Sequence, residues 1–150
     1  MRKELPEFGV LTRLAIGLLA FSLKLAFKQG FIPALARKIY AGADLFLMPS
    51  KSEPCGLSQM VALRYGTVPI VRETGGLRDS ITDSGDGKGN GFTFKTYNAH
   101  DMLGAINRSL DAYYNKAYWD TLVERAINCD FSWGKSANEY IKMYKEVLKS

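Results

Sequence analysis

Between Ala43 and Leu77 the chain reads ADLFLMPSKSEPCGLSQMVALRYGTVPIVRETGGL. This order of apolar run, glycine-bearing loop, periodic apolar residues and second apolar run leaves few architectures open. Leu45-Phe46-Leu47-Met48, bounded by Asp44 and Pro49, has the pattern of a strand buried on both faces of a parallel sheet. Ser50 to Gly56 reads as loop. From there Leu57, Met60, Val61 and Tyr65 recur at helical spacing, and Gly66 stands in the position of a helix C-cap. Val68-Pro69-Ile70-Val71 follows as a second buried strand. Such a strand–loop–helix–strand unit belongs to an α/β fold, whose ligands sit in the crevice beyond the carboxyl ends of the strands. The donors expected there are the backbone N–H groups of Gly56, Leu57 and Ser58, at the positive end of the helix dipole. Gly56 leaves room for close backbone approach, and Glu53 stands just outside as an acceptor for hydroxyl groups. Phosphate together with a polyol is the implied ligand chemistry.

The flanking sequence extends the same pattern. Leu35, Ile39 and Tyr40 predict a helix between Ile32 and Tyr40 that ends at Gly42. Glu73-Thr74-Gly75-Gly76-Leu77 reads as a tight turn opening a short helical segment to Ile81. SGDGKGN, Ser84 to Asn90, is dense in glycine and polar residues and reads as an exposed loop. Gly91-Phe92-Thr93-Phe94 alternates as a short strand, and helices are expected over Asn98 to Tyr114, Lys116 to Cys129 and Ser132 to Leu148, the last with Ser132 as N-cap. Tyr113, Tyr114, Tyr118 and Trp119 lie at helical spacing and read as core and helix–helix packing rather than a carbohydrate platform.

A chain of 150 residues, 47% apolar and 12% aromatic, suffices for one domain with a proper core, and neither repeats nor a linker divide it. The two cysteines, Cys55 and Cys129, lack metal-ligand spacing, so no metal site, cofactor or disulfide framework is expected, and a reducing cytoplasm is the default compartment. The net charge of +5 is spread along the chain, which favours a solvated surface over nucleic-acid binding, although a basic face would still attract an anionic ligand.

The N-terminal stretch is of a different kind. Phe8 to Phe27 is strongly apolar and follows Arg2 and Lys3, superficially like a signal peptide or membrane anchor. Arg13 and Lys24 interrupt it, however, and Leu14, Leu18, Phe21 and Leu25 fall on one helical stripe, so a core-facing or surface-seeking helix is the favoured reading over membrane insertion.

The string SEPCGLSQMVALRYGTVPIVRETGGLRD resembles the donor-site signature of bacterial and plant starch and glycogen synthases, retaining glucosyltransferases that extend α-1,4-glucan from a nucleotide-glucose. ALARKIYAGADLFLMPS upstream, and GFTFKTYNAHDML and FSWGKSANEYIKMY downstream, carry the same resemblance, which runs from Gly30 to Leu148. It implies the C-terminal part of a Rossmann-like, GT-B type domain: a short parallel sheet with helices on both faces and a helical C-terminal tail. On this reading residues 1–29 form an atypical apolar helix without a counterpart in the family, and residues 30–150 form a partial nucleotide-sugar-binding domain. The implied partners are ADP-glucose or UDP-glucose and an α-glucan acceptor.

The resemblance assigns roles residue by residue. The matching Glu, Glu53, lies at the donor sugar and matters for transfer, either stabilising charge or positioning hydroxyls. Cys55, Gly56, Leu57 and Ser58 contact the glucose hydroxyls and the diphosphate. Cys55 near a helix N-terminus has the setting of an activated thiol, but the only histidine, His100, lies near the start of a later helix, so a ligand-adjacent cysteine is favoured over a nucleophile. Phe31 after Gly30 matches a Gly-aromatic pair that packs on the adenine, and reads equally as a core aromatic. Thr74, Gly75 and Gly76 form either a second backbone wall of the cleft or a purely structural turn, with Arg72 beside them simply solvated. Where the wider group of retaining two-domain transferases has a second Glu, this chain has Val61, as the starch and glycogen synthase branch also lacks it, leaving Glu53 as the sole carboxylate of the motif. A glycoside hydrolase would need a pair.

The resembling enzymes also draw a Lys-containing glycine loop and diphosphate-gripping basic residues from segments without a counterpart in this sequence. Three readings follow: the C-terminal donor-binding piece of a glucosyltransferase, complemented by a separate N-terminal half and inactive without it; a non-catalytic nucleotide-sugar or glucan-binding module; or a degenerate folded fragment prone to self-association through an open sheet edge.

Overall fold

The computed structural model of the chain describes residues 32–149. Phe31 and the apolar stretch Phe8 to Phe27 lie outside the described residues.

The centre of the fold is a three-stranded parallel sheet in the order β1-β2-β3, formed by β1 (Leu45–Met48), β2 (Val68–Arg72) and β3 (Phe92–Phe94). Leu45 to Met48 pair with Val68 to Val71, and Ile70 to Arg72 pair with Phe92 to Phe94. The described residues form six helices: α1 (Pro33–Gly42), α2 (Ser58–Arg64), α3 (Gly75–Ser80), α4 (Ala99–Tyr114), α5 (Lys116–Ile127) and α6 (Trp133–Val147). Because the strands are parallel, the loops from β1 to α2 and from β2 to α3 open at one end of the sheet.

Alternate residues of a strand face opposite sides, and β2 uses both. Val68 and Ile70 pack with Phe92 and Phe94 against Met102, Ala105 and Ile106 of α4 and Trp119 and Leu122 of α5. Val71 faces the other way, onto Leu63 of α2, Leu77 of α3, Ile81 and Ala126. The expected α/β arrangement, helices on both faces of a short parallel sheet, is therefore the observed one. Buried Thr67 ties the unit together, its hydroxyl reaching the carbonyls of Tyr40 at 2.5 Å and Ala43 at 2.9 Å, which satisfies acceptors at the end of α1.

Several local expectations are revised. β1 is half-buried at every position rather than buried on both faces, because β2 is the only strand beside it among the described residues. In α2 the buried residues are Gln59, Ala62 and Leu63. Of the predicted stripe, Leu57, Val61 and Tyr65 are instead exposed and Met60 is half-buried, with Tyr65 stacked on Tyr40 of α1 at 6.4 Å. β3 does not alternate: Phe92, Thr93 and Phe94 are all buried. Of the aromatic cluster, Trp119 is buried and meets Tyr113 edge-on at 5.1 Å, whereas Tyr114 is 70% exposed.

The segment Ser84 to Asn90 is more than an exposed loop. Ser84 to Asp86 form a 3-10 turn with Ser84 fully buried, and the Tyr118 hydroxyl donates to the Ser84 carbonyl at 2.5 Å. Asp83 accepts from the Gly85 amide at 2.9 Å, the Thr93 amide at 2.7 Å and Arg108 Nη2 at 2.8 Å. Burial alone would raise the Asp83 carboxyl, but the amides of Thr93 and Gly85 and the Arg108 guanidinium outweigh it and hold the group below the usual carboxylate range. Helix α6, like α1, buries no residue; Ser132 caps it as expected, accepting from the Lys135 amide at 3.3 Å.

Candidate functional site

The loop after β1 carries Glu53, Pro54, Cys55 and Gly56 across the carboxyl end of the sheet and into α2. Its path is set by the turn after β2. The amide of Gly76 donates to the carbonyls of Glu53 and Pro54, both at 3.2 Å. A Cβ on Gly75 would stand 2.1 Å from the Glu53 carbonyl oxygen, and one on Gly76 would stand 2.0 Å from that of Cys55. Gly75 also has φ +44, a region that side chains disfavour. The structure thus brings Glu53, Cys55, Gly56, Leu57 and Ser58 together with Thr74, Gly75 and Gly76, and it packs the two glycines beneath the Glu53 loop. Thr74 stands at the N-cap of α3 in an extended conformation and makes no side-chain cap.

A second tie comes from α2. Fully buried Gln59 donates from Nε2 to the Gly56 carbonyl at 2.9 Å, the Cys55 carbonyl at 3.3 Å and Ser80 Oγ at 3.1 Å. Ser80 Oγ in turn donates to the Gly76 carbonyl at 2.6 Å. One chain of hydrogen bonds therefore runs from the start of α2 through α3 to the turn below Glu53.

The third tie is Arg72, the last residue of β2. Its Nε donates to the Ser50 carbonyl at 2.9 Å and its Nη2 to the Lys51 carbonyl at 2.5 Å. Nη1 reaches the Lys95 carbonyl at 3.4 Å, and the guanidinium lies 5.7 Å from the centroid of the Tyr97 ring. The expectation that Arg72 is simply solvated is corrected: five N–H donors in a planar fork suit carbonyls converging from two loops, and Arg72 uses all three of its nitrogens this way. Gln59 was passed over at the level of sequence, and Arg72 was assigned no role there. The available signals were a polar residue inside the most buried stretch of a helix, and a charged residue closing a buried strand one position before the glycine turn.

Against this fixed backing the ligand-facing groups are open. The half-buried Glu53 side chain makes no hydrogen bond or ion pair with the described residues. The amides of Gly56, Leu57 and Ser58 likewise donate to no acceptor among them, and α2 has no side-chain cap. Gly56 has φ +76, which turns the chain into the helix. Leu57 is 69% exposed, and Cys55 is a free, exposed thiol. A carboxylate acceptor and a row of unsatisfied donors within a few residues can take hydroxyls on one side and an anion on the other. Phe31 lies outside the described residues. A cleft of about 550 Å³ between the Thr82 to Asn90 loop and α5, lined by Lys88, Asn90, Arg125 and Cys129, contains none of these groups. Among the described residues no group of three or more His, Cys, Asp or Glu is placed to hold a metal ion, and no helix is long and apolar enough to cross a membrane.

Residues 18–121 match the family described as glycosyl transferases group 1. The glycogen synthase of Geobacillus thermodenitrificans (strain NG80-2) is 57% identical over 122 residues, 80% of this chain and 25% of the relative. That of Bacillus subtilis (strain 168) is 53% identical over 123 residues, 81% of this chain and 25% of the relative. The chain thus spans about a quarter of the length of the curated relatives it matches. Among solved structures, the catalytic domain of starch synthase IV from Arabidopsis thaliana, bound to ADP and acarbose, superposes with a TM-score of 0.70 at 38% identity, covering 97% of this chain and 31% of that one. Sucrose-phosphate synthase from Thermosynechococcus elongatus gives a TM-score of 0.58 at 22% identity over 91% of this chain and 34% of that one, a likeness of fold alone.

Proposed function

The chain belongs to glycosyl transferases group 1, and from that premise we propose that it is the donor-binding, C-terminal piece of a glycogen or starch synthase, holding ADP-glucose for transfer of glucose to the non-reducing end of an α-1,4-glucan. The observation that carries this reading is the pairing of Glu53 with the undonated amides of Gly56, Leu57 and Ser58 on one loop fixed at the carboxyl end of the sheet. In this reading the amides take the diphosphate, Glu53 accepts from glucose hydroxyls and faces the positive charge that develops as the bond from C1 to the diphosphate oxygen breaks, and Cys55 lines the sugar subsite without attacking it. Charge stabilised where it develops is what lowers a barrier. The adenine nucleotide is preferred over UDP-glucose by analogy with the ADP found on the starch synthase IV neighbour. Phe31 is proposed to stack on the base, and Thr74, Gly75 and Gly76 to complete the subsite as its floor.

These 150 residues alone are proposed to transfer glucose slowly or not at all, because the Lys-containing glycine loop and the diphosphate-gripping basic residues of the resembling enzymes have no counterpart in the sequence. A separately supplied N-terminal domain would restore transfer. Calorimetry with ADP-glucose, UDP-glucose, ADP and maltooligosaccharides tests the reading. ADP-glucose is expected to bind more tightly than ADP, with Glu53→Gln removing the difference. Binding of maltooligosaccharides in the absence of any nucleotide affinity would overturn the assignment in favour of a glucan-binding module, and binding of nothing would leave a folded fragment. Incorporation of labelled glucose into a primer by the chain alone would overturn the claim of inactivity.

A further inference from the structure

Arg72 lies on the sheet, outside the loop that carries Glu53, and yet it determines where that loop starts. The loop leaves β1 after Met48 and must cross the end of β2 before reaching α2. Within this crossing the carbonyls of Ser50 and Lys51 both accept from one side chain, the Arg72 fork, at 2.9 and 2.5 Å. The same guanidinium reaches over β3 to the Lys95 carbonyl at 3.4 Å and lies over Tyr97. Arg72 itself is immobilised, since its backbone pairs with Phe94 in the register of β2 and β3. Glu53 is thus held at two points, from upstream by Arg72 through Ser50 and Lys51, and from beneath by the Gly76 amide on its own carbonyl at 3.2 Å. Its carboxylate has no described partner, so main-chain restraint is what orients it.

We propose that Arg72 is a positioning residue for the donor sugar: by clamping Ser50 and Lys51 it sets the height of the Glu53 carboxylate over the end of the sheet. The proposal rests on the donor-site reading above for its functional consequence, while the clamp itself is a property of the fold. A planar fork that spans carbonyls on separate loops is not replaced by an ammonium, which presents a compact point charge on a flexible stem. Lysine at this position therefore keeps the charge and loses the clamp.

The test uses the full chain with Arg72→Ala, Arg72→Lys and, as a control for charge alone, Arg78→Ala; Arg78 is exposed on the neighbouring α3. Affinities for ADP-glucose and for ADP are measured for each. The expected result is that the ratio between them falls by about tenfold in both Arg72 variants, the size of one well-made contact to a charged group, with ADP affinity nearly unchanged and Arg78→Ala like the parent. A ratio preserved in Arg72→Lys would overturn the clamp in favour of a charge effect, and a ratio preserved in Arg72→Ala would overturn the proposal altogether. The fold-level claim has its own readout, which needs no ligand: hydrogen exchange of the Gly76 amide by NMR, expected to accelerate at least several-fold in both Arg72 variants as the Glu53 carbonyl loosens. If the parent chain shows no preference for ADP-glucose, the donor reading fails while accelerated Gly76 exchange still upholds the clamp; unchanged exchange would overturn it.

Discussion

Glycines in this chain divide according to what a side chain would meet. Gly76 lies against main chain, and a Cβ there would fall 2.0 Å from the Cys55 carbonyl oxygen. Neither partner is a flexible side-chain end, so the loop or the turn has to shift. Gly76→Ala is expected to lower unfolding stability by about 1–3 kcal/mol, as overpacking does, and to weaken ADP-glucose binding beyond that, since the displaced atoms belong to the loop of Glu53. Gly104 is the opposite case. It lies inside α4 with nothing within 4 Å of its missing Cβ, so Gly104→Ala is expected to raise stability by about 0.5–1 kcal/mol through helix propensity. Urea denaturation of the two variants beside the parent checks both signs.

At the level of elements, the segment between α3 and β3 is held by a carboxylate. Asp83 joins the 3-10 turn to the Thr93 amide of β3 and to Arg108 of α4. Its folded pKa is depressed, its burial being outweighed by bonds from Thr93, Gly85 and Arg108. A depressed carboxylate contributes stability that is present above the unfolded pKa, about 3.9, and is lost as pH falls through the folded value. Asp83→Asn is therefore expected to be less stable than the parent at neutral pH, with the gap narrowing as pH drops below about 4; thermal unfolding at a series of pH values reads it. A gap constant with pH would contradict the ionic role.

None of this was legible in SGDGKGN, which by composition is a loop, because two of the groups that fix it, Arg108 of α4 on Asp83 and Tyr118 of α5 on the Ser84 carbonyl, come from far along the chain. The same reason explains α2. Apolar periodicity located the helix to within a residue of its start, yet chose the stripe Leu57, Met60, Val61 and Tyr65, whereas the residues buried are Ala62, Leu63 and Gln59, whose amide bonds the loop. The succession of strands and helices was readable from the sequence, and so was the gathering of Glu53, Gly56 and Gly75 at one end of the sheet, since it follows from parallel topology. The Arg72 clamp was not, since its acceptors are carbonyls, and every residue carries one.

Across the whole molecule, the two-sided core closes around β2 and ends near Ala126, while α6 remains exposed. That helix presents Tyr140, Ile141, Tyr144 and Val147, each at least 48% exposed, and β1 offers its outer edge without a described strand beside it. Exposed apolar surface of this kind promotes association. The sedimentation coefficient of the purified chain is expected to rise with concentration, and less so in a Tyr140→Glu, Tyr144→Glu double variant; a single species at all concentrations would count against it. The packing of Gly75 and Gly76 beneath the Glu53 loop bears on how the chain would drift over generations. A library selected only for folded protein would favour both glycines, because any Cβ there presses on main chain, and would let Glu53 vary freely. A library selected for sugar-nucleotide retention would fix all three. Tolerance at Glu53, compared with intolerance at Gly76, therefore separates a chain kept for its chemistry from one kept for its shape.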